Sequence, residues 1–375
     1  MTLPDRYREY YMPLLRKFCK ELTDRLPADN FQGIPHPQIP LWGSRYEQSL
    51  IKIAFIGLET RGYNPTLNVC LKDIQDEKWN SSFDDLSEFQ NLDFVAWTKP
   101  RHYDYGTFWG FVLYFLATLY GIENWKVLKQ CQHANILNSF VWGEATAIEK
   151  WDNVKNTASK DAHTIALEFS GMLNDYQHLK NLFAPQVSII CTSGACENYL
   201  RNTHKSLVFN ENGLRFWKAD NDLIFNIPHP DYLHRKNRKQ NLPIYAERIR
   251  ETLIEEGYFQ PFLPFMDYDE KSLSLLNLNV FRRCIPKTTE VKDAIAYIAT
   301  ELRKQNAKMT VRLLCYILNQ LGYRTKYGSE YQAGVGSYHT ISLAYRRYSE
   351  GFHQEDIAKA IADAFTKPNG DYAWH

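Results

Sequence analysis

The stretch Ile51-Lys-Ile-Ala-Phe-Ile56-Gly57 decides the fold. It is a short, nearly continuous apolar run ended by glycine, the pattern of a strand buried on both faces rather than one with a wet side. Three more runs of this kind follow, at Ala134-Asn-Ile-Leu137, Val187-Ser-Ile-Ile-Cys191 and Asp222-Leu-Ile-Phe225. Helix-like stretches lie between them, at Phe108 to Tyr120, Asp161 to Phe183 and Ser193 to Arg201. Parallel neighbours need a crossover of about a dozen residues, so strands alternating with helices predict an α/β fold. The expected architecture is a three-layer αβα sandwich around a central, mainly parallel four-stranded sheet.

Outward from this core, a helix is expected over Leu14 to Leu26 with Pro13 at its first turn. A Pro-rich loop follows through Pro35, His36, Pro37 and Pro40, with His36 read as structural, and an acidic surface excursion covers Lys72 to Asp93. Leu242 to Glu256 reads as a closing helix ended by Gly257, and Tyr258 to Asp269 as a linker. Beyond it, Thr289 to Gln305, Thr310 to Leu321, Tyr338 to Tyr348 and Gln354 to Phe365 carry helical periodicity. Two domains are therefore expected: an α/β domain over residues 1–265 with an N-terminal helical extension, and a smaller α-helical accessory domain over 275–375.

With 44% hydrophobic and 23% charged residues the chain is not disordered. The net charge of +1, from 44 Lys+Arg against 43 Asp+Glu, excludes a uniformly polycationic protein, so any nucleic-acid face must be local. The seven cysteines contain no C-x-x-C pair, which argues against a disulfide framework and a zinc ribbon. Cys191 and Cys196 are read as buried thiols, and no metal or cofactor is expected. Charges at Asp5, Arg6, Arg8 and Glu9 do not suit a signal peptide, and the apolar run from Phe108 to Ile122 is too short to span a bilayer. A soluble, cytoplasmic monomer without a membrane partner is expected.

In an open parallel sheet ligands bind beyond the carboxyl ends of the strands, where loops and helix N-termini meet. Each apolar run here ends in polar residues. The first delivers Gly57-Leu-Glu59-Thr60-Arg-Gly62-Tyr63-Asn64-Pro65, the second Asn138-Ser139, the third Thr192-Ser193-Gly194, and the fourth Asn226-Ile-Pro228-His229-Pro230-Asp231-Tyr232. Parallel strands would bring all four loops to one rim.

This arrangement resembles the uracil-DNA glycosylase superfamily, over roughly residues 45 to 255. In that family a loop of the type G-x-(D/N)-P follows the first core strand, an Asn closes a later strand, and an H-P-S loop ends the last. Gly57-Leu58-Glu59-Thr60 then places Glu59 at the family's catalytic acidic or amide position, with Thr60 in place of the proline. Gly62-Tyr63-Asn64-Pro65 matches the G-x-N-P form as an alternative; Glu59 is favoured because it follows the strand directly. Asn138, closing Asn135-Ile-Leu-Asn138, falls where the family's base-reading Asn stands, and His229-Pro230-Asp231 matches the H-P-S loop with Asp for Ser. The Gly-x-Glu-Thr loop and the extra C-terminal domain resemble a divergent branch; members linked to phage defence act on hypermodified bases. The iron–sulfur branches are a poor match, since no suitable Cys cluster is present.

The resemblance implies a monofunctional DNA glycosylase that hydrolyses the N-glycosidic bond of a modified or damaged base, a modified pyrimidine first among them, in double-stranded DNA. Such hydrolysis leaves positive charge on the sugar and negative charge on the departing base. Glu59 would stabilise the first and orient water; His229, neutral or protonated, would donate to the base oxygen. The base must be flipped out of the stack. Tyr63, Tyr105 and Phe108 are candidates to stack on it, and Asn135, Asn138, Thr60 and Asn64 to contact it. Tyr232 and Leu233 are plausible wedges in the gap, while His234, Arg235, Lys236, Arg238 and Lys239 form the basic segment placed to grip phosphates.

In the C-terminal domain, the Gly328 to Gly336 turn before Ser337-Tyr338-His339-Thr340 suggests a recognition helix in a helix-turn-helix-like unit. Two other functions compete with the glycosylase: a catalytically silent sensor of modified or abasic DNA, and an α/β enzyme acting on a small nucleotide. The last lacks support because no G-x-x-x-x-G-K-[ST] loop is present.

Overall fold

The structure, a computed structural model, describes residues 2–25, 37–43, 46–47, 49, 51–58, 107–120, 125, 136, 139–147, 168, 171–219, 222–258, 288, 290–304, 308–366 and 372. The chain divides into two units: Met1–Phe115 with Leu128–Tyr258, and Leu116–Val127 with Phe259–His375.

The first unit runs through α1 (Leu3–Arg25), β1 (Leu41–Trp42), β2 (Ile53–Gly57), the first turns of α2 (Phe108–Leu119), β3 (Phe140–Glu144), α3 (Tyr176–Phe183), β4 (Val187–Ile190), α4 (Cys196–Tyr199), β5 (Ser206–Glu211), β6 (Leu214–Ala219), β7 (Asp222–Asn226), α5 (Pro230–Arg235) and α6 (Asn241–Glu255). The strands form one seven-stranded sheet in the order β1-β3-β2-β4-β7-β6-β5. The pairs β3/β2, β2/β4 and β4/β7 are parallel, while β1 and the β5–β6 extension pair antiparallel. The mixed α/β class expected from the sequence is therefore present, but among the described residues the sheet has seven strands instead of four.

Three physical reasons account for the differences. Strand β5 is mostly exposed and so lacks the buried-run signature, and β1 is only two residues long. The hairpin joining β5 to β6 turns on Asn212-Gly213, both with positive φ (52° and 93°), the left-handed pair that a tight two-residue hairpin demands. The second parallel strand lies at Phe140–Glu144, beyond the Ala134–Leu137 run, whose one described residue, Ile136, is helical.

Helix α1 begins at Leu3, eleven residues before the expected start, because Leu3, Tyr7, Tyr11, Leu15 and Phe18 recur every three or four positions and are all buried. Pro13 stands inside that helix on its exposed side, where water can satisfy the carbonyl its ring leaves without a donor. This stripe packs with Tyr176 and Leu179 of α3 against Ala54, Ile56, Val141, Ile190 and Ile224 of the sheet. The alternate residues face the other way: Phe55 meets Phe115 of α2 at 5.8 Å and Phe140 at 5.2 Å, edge to face.

The second unit contains α7 (Val291–Lys304), α8 (Val311–Gln320), α9 (Val335–Arg346), a π-helical turn over Arg347–Gly351, and α10 (Glu355–Ala364). The four helices expected there are present. The helix-turn-helix expectation is not met: residues 321–334 separate α8 from α9, whereas that motif joins its helices by about 3–4 residues. Arg347, just beyond α9, is turned onto Glu290 and Asp293 at 3.2 Å each, and the Tyr348 hydroxyl donates to Asp293 Oδ1 at 3.0 Å. Burial and that neighbouring carboxylate push the Tyr348 phenol up to about 12.

The hairpin carries Arg215, which matters for the rim described next. Gly213→Ala adds a side chain at φ 93° and 3.2 Å from the Tyr245 hydroxyl, and is expected to lower unfolding free energy by about 1–2 kcal/mol in denaturant titration.

Candidate active site at the carboxyl rim of the sheet

Strand order fixes where a site can form. Chain leaving β2 goes to β3 on one side, and chain leaving β3 crosses to β4 on the other, so the order reverses between β2 and β4. Connections diverge at such a point and leave a crevice outside the strand ends. The crevice is bordered by Gly57-Leu58 after β2, Glu144 at the end of β3, Cys191-Thr192-Ser193 after β4, and Ile227-Pro228-His229 after β7.

Glu144 is the residue that sequence reasoning missed. Its partner across the parallel ladder is Gly57, and the ladder continues past both strands through Ala145 N–H to Gly57 O (2.9 Å) and Thr146 N–H to Leu58 O (3.1 Å). Residues two apart share a face, so Glu144 projects on the same side as Trp142 and Phe55. The side chain is 5% exposed. Its carboxylate folds over the Gly57 Cα: a Cβ there would fall 2.8 Å from both Cδ and Oε1, and closer still to Oε2. Glycine is required at position 57 for this contact, independently of backbone conformation.

Two groups hold this residue in place, one at its carboxylate and one at its backbone. The Trp142 indole donates to Oε1 at 3.1 Å. From behind, the buried Asn174 amide donates to the Glu144 backbone carbonyl at 3.0 Å and to that of Gln38 at 2.6 Å. The sequence signal for Glu144 is plain once the strand is known: Phe140-Val-Trp-Gly-Glu144 is itself an apolar run ended by an acid.

His229 occupies the opposite border. It is the N-cap of α5, its Nδ1 accepting from the Asp231 backbone N–H at 3.3 Å, while its own backbone N–H donates to Ser193 Oγ at 3.1 Å. A nitrogen that accepts carries no proton, so in the uncharged ring the proton sits on Nε2 and that atom is the donor. The ring stacks on Phe108, with centroids 6.2 Å apart and planes 13° from parallel. Phe108 contacts Trp109 at 5.0 Å, and Trp109 contacts Trp142 at 4.9 Å. A continuous aromatic row thus runs from the imidazole to the indole that holds Glu144.

The β4 border is braced from the hairpin. Arg215 donates to Asn226 Oδ1 at 2.8 Å and to the Ser193 carbonyl at 3.5 Å, and pairs with Glu197 at 2.9 Å. Asn226 returns a bond from Nδ2 to Ile190 O at 2.9 Å. Ser193 itself adopts φ 52°, an unusual conformation for a residue with a side chain, which puts Oγ under the His229 backbone. Burial pushes the Cys191 thiol well up, with the Glu144 carboxylate adding to it, and pushes Cys196 up to about 12. Neither thiol is an activated nucleophile.

No protein-family model and no curated protein sequence matches the chain. What can be said of function therefore comes from the rim itself. Among the described residues no group of three or more His, Cys, Asp or Glu side chains could hold a metal ion, and no helix is long and apolar enough to cross a membrane.

Of the residues expected from sequence, Phe108 and His229 meet at the rim. In the basic segment Tyr232 is 46% exposed, with the Lys236 ammonium 6.0 Å above its ring, and His234, Arg235, Lys236 and Arg238 are exposed. Leu233 must be corrected: it is 3% exposed, buried as the apolar anchor of α5, and is not placed to wedge between bases. The helix ends in a Schellman turn, Asn237 N–H to His234 O (3.0 Å) and Arg238 N–H to Leu233 O (2.8 Å), with Asn237 at φ 53°. Glu59, Thr60, Tyr63, Asn64, Tyr105, Asn135 and Asn138 lie outside the described residues. The strand end assigned to Asn138 is occupied by Glu144.

Gly57→Ala is expected to cost about 1–3 kcal/mol by overpacking against Glu144. Combining it with Glu144→Ala should recover most of that loss; additive losses in the double variant would show that the two groups do not touch.

Proposed function

We propose that the chain is a DNA glycosylase acting at this rim, with a uracil-DNA-glycosylase-like three-layer core. Its substrate is a modified or damaged base, a modified pyrimidine first among them, flipped out of double-stranded DNA, and the product is an abasic site. On the same footing we propose a cytoplasmic monomer, serving in defence against phages with modified DNA. The observation that carries this reading is the state of His229. Its Nδ1 is occupied by the helix it caps, its ring is held flat against Phe108, and its proton is therefore on Nε2, at the other edge of the ring.

Chemically, that donor answers the harder half of the reaction. As the glycosidic bond breaks, negative charge develops on the base, and a fixed N–H aimed at it lowers the barrier without reorganisation. The flat Phe108 and His229 rings suit a stacked base. The positive charge on the sugar needs an anion. Glu59 is proposed for this on its sequence position, one residue beyond Leu58, whose carbonyl is pinned by Thr146. Downstream, the exposed Tyr232 and the cations of residues 234–239 supply a filler for the vacated stack and counter-charges for phosphate.

The test separates capping from chemistry. Asparagine caps helices well, so His229→Asn should keep the α5 cap and leave stability within about 1 kcal/mol while removing the Nε2 donor. Base release from DNA carrying modified bases, read by mass spectrometry of the free base, should fall about 10²–10³-fold. Glu59→Gln should produce a comparable loss. Release by wild type from none of a panel of modified DNAs, phage DNA included, overturns the proposal. Replacing Arg235, Lys236 and Arg238 with Gln should reduce the slope of log affinity against log salt by about 0.9 for each phosphate that is no longer neutralised.

A further inference from the structure

We infer that Ser193 is a positioning residue for His229: from a left-handed backbone braced by Arg215, its Oγ ties the histidine main chain to the end of β4 and so fixes where the Nε2 donor lies. This role rests on the glycosylase reading for the use of the donor and extends it to how the donor is aimed.

The histidine has few other holds on the sheet. In Ile227-Pro-His-Pro-Asp231 the two prolines carry no N–H, so three main-chain donors remain. Ile227 N–H donates to Ile190 O at 2.9 Å, extending the β4/β7 ladder past its last paired residues, Ile190 and Asn226. Asp231 N–H is taken by His229 Nδ1. The third donor, His229 N–H, goes to Ser193 Oγ at 3.1 Å. On its other side the His229 carbonyl accepts from the N–H groups of Tyr232 and Leu233, at 3.0 and 3.1 Å. The residue is thus fastened to α5 by its carbonyl and its ring, and to the turn after β4 by the serine.

Register accounts for the use of a side chain. Ser193 and His229 each stand three residues beyond the paired ends Ile190 and Asn226, past the last main-chain bond between the two strands. The hydroxyl supplies the acceptor that a carbonyl supplies within the ladder.

Conformation sets the serine apart from an ordinary turn residue. Its φ of 52° is one that glycine adopts freely and a residue with a side chain adopts rarely. A glycine stands beside it, at 194, where φ lies outside the left-handed region and a Cβ would meet nothing within 4 Å. The strained position therefore carries the residue with a hydroxyl, and the unstrained one carries glycine. Such strain persists only where its surroundings over-determine it. Arg215 provides them: its guanidinium reaches the Ser193 carbonyl and Asn226 Oδ1, and Asn226 Nδ2 in turn donates to Ile190 O. The hairpin arginine thus spans the two segments that Ser193 and His229 join.

The experiment uses the full chain and Ser193→Gly, which suits the backbone and removes the hydroxyl. A serine merely tolerated there would give way to glycine with no change at the site. Positioning predicts a variant that unfolds cooperatively, yet whose kcat for base release falls about 10–10²-fold with KM held, because the misplacement acts on the transition state. A second readout needs no turnover. The His229 signals of 15N-histidine-labelled protein are assigned by their absence from His229→Asn. In the uncharged wild-type ring one nitrogen is protonated and the other accepts, so their signals are widely separated. In Ser193→Gly the separation should narrow as the second tautomer is populated.

Narrowed signals together with the fall in kcat support the inference. Wild-type signals in Ser193→Gly overturn it whatever the rates, as does narrowing with kcat unchanged, or loss of the cooperative transition. Narrowed signals with no base released by wild type support the hold on the imidazole and remove the glycosylase reading. Arg215→Lys, which keeps the charge but not the fork, should cost a share of the same rate and nothing further in the Ser193→Gly background. Losses that add in the double variant overturn the part given to Arg215.

Discussion

Parallel pairing of β2 with β3 on one side and β4 on the other is the constraint on which the rest depends. It forces every strand end of the central four to the same edge, and it forces the connections to diverge there. Each strand is buried along its whole length, so a slip of one residue would exchange the side chains packed on the two faces and spoil both cores. That register places Gly57 opposite Glu144, and the glycine in turn gives the carboxylate its room. A functional group at the end of a strand is only as well placed as the strand behind it, and here the strand is held on both edges.

The aromatic side chains turn this frame into a site. Trp142 belongs to β3, Trp109 and Phe108 to α2, and His229 to the start of α5, yet they form one row of ring contacts. Two rings in the row also make polar bonds, the indole of Trp142 to Glu144 and the imidazole of His229 to the cap of α5. Ring planes pack at low entropic cost and leave few rotamers open. The polar ends are consequently fixed by apolar contacts, which screening by salt does not weaken.

Much of this is legible in the sequence, and what is not has identifiable causes. Ile51 to Gly57, Val187 to Cys191 and Asp222 to Phe225 signal buried strands through unbroken apolar runs; two of the three are strands within one residue of those limits, while β2 starts two residues in, at Ile53. His229 is legible because proline flanks it closely on both sides, fixing a turn at the strand end. Glu144 is not, because Ala134 to Leu137 looks as strand-like as Phe140 to Gly143 and is followed by an asparagine at a tempting place. Composition cannot say which of two adjacent apolar runs enters the sheet; pairing with β2 does. Leu233 reads as a wedge from sequence because a short helix buries one side, and Asp231 to Lys239 gives too few turns to show which. The β5–β6 hairpin is signalled by Asn212-Gly213 alone, easily passed over when one flanking strand is mostly solvated.

The dual engagement of His229 has a mechanical consequence. The same imidazole caps the helix that bears Tyr232 and leads into the exposed cationic turn, so the rim at the end of β7 and that turn are joined through a single ring. A tilt of α5 would move the Asp231 N–H that holds Nδ1, and with it the opposite edge of the ring. The orientation of the imidazole is thereby tied to the position of the short helix that follows it.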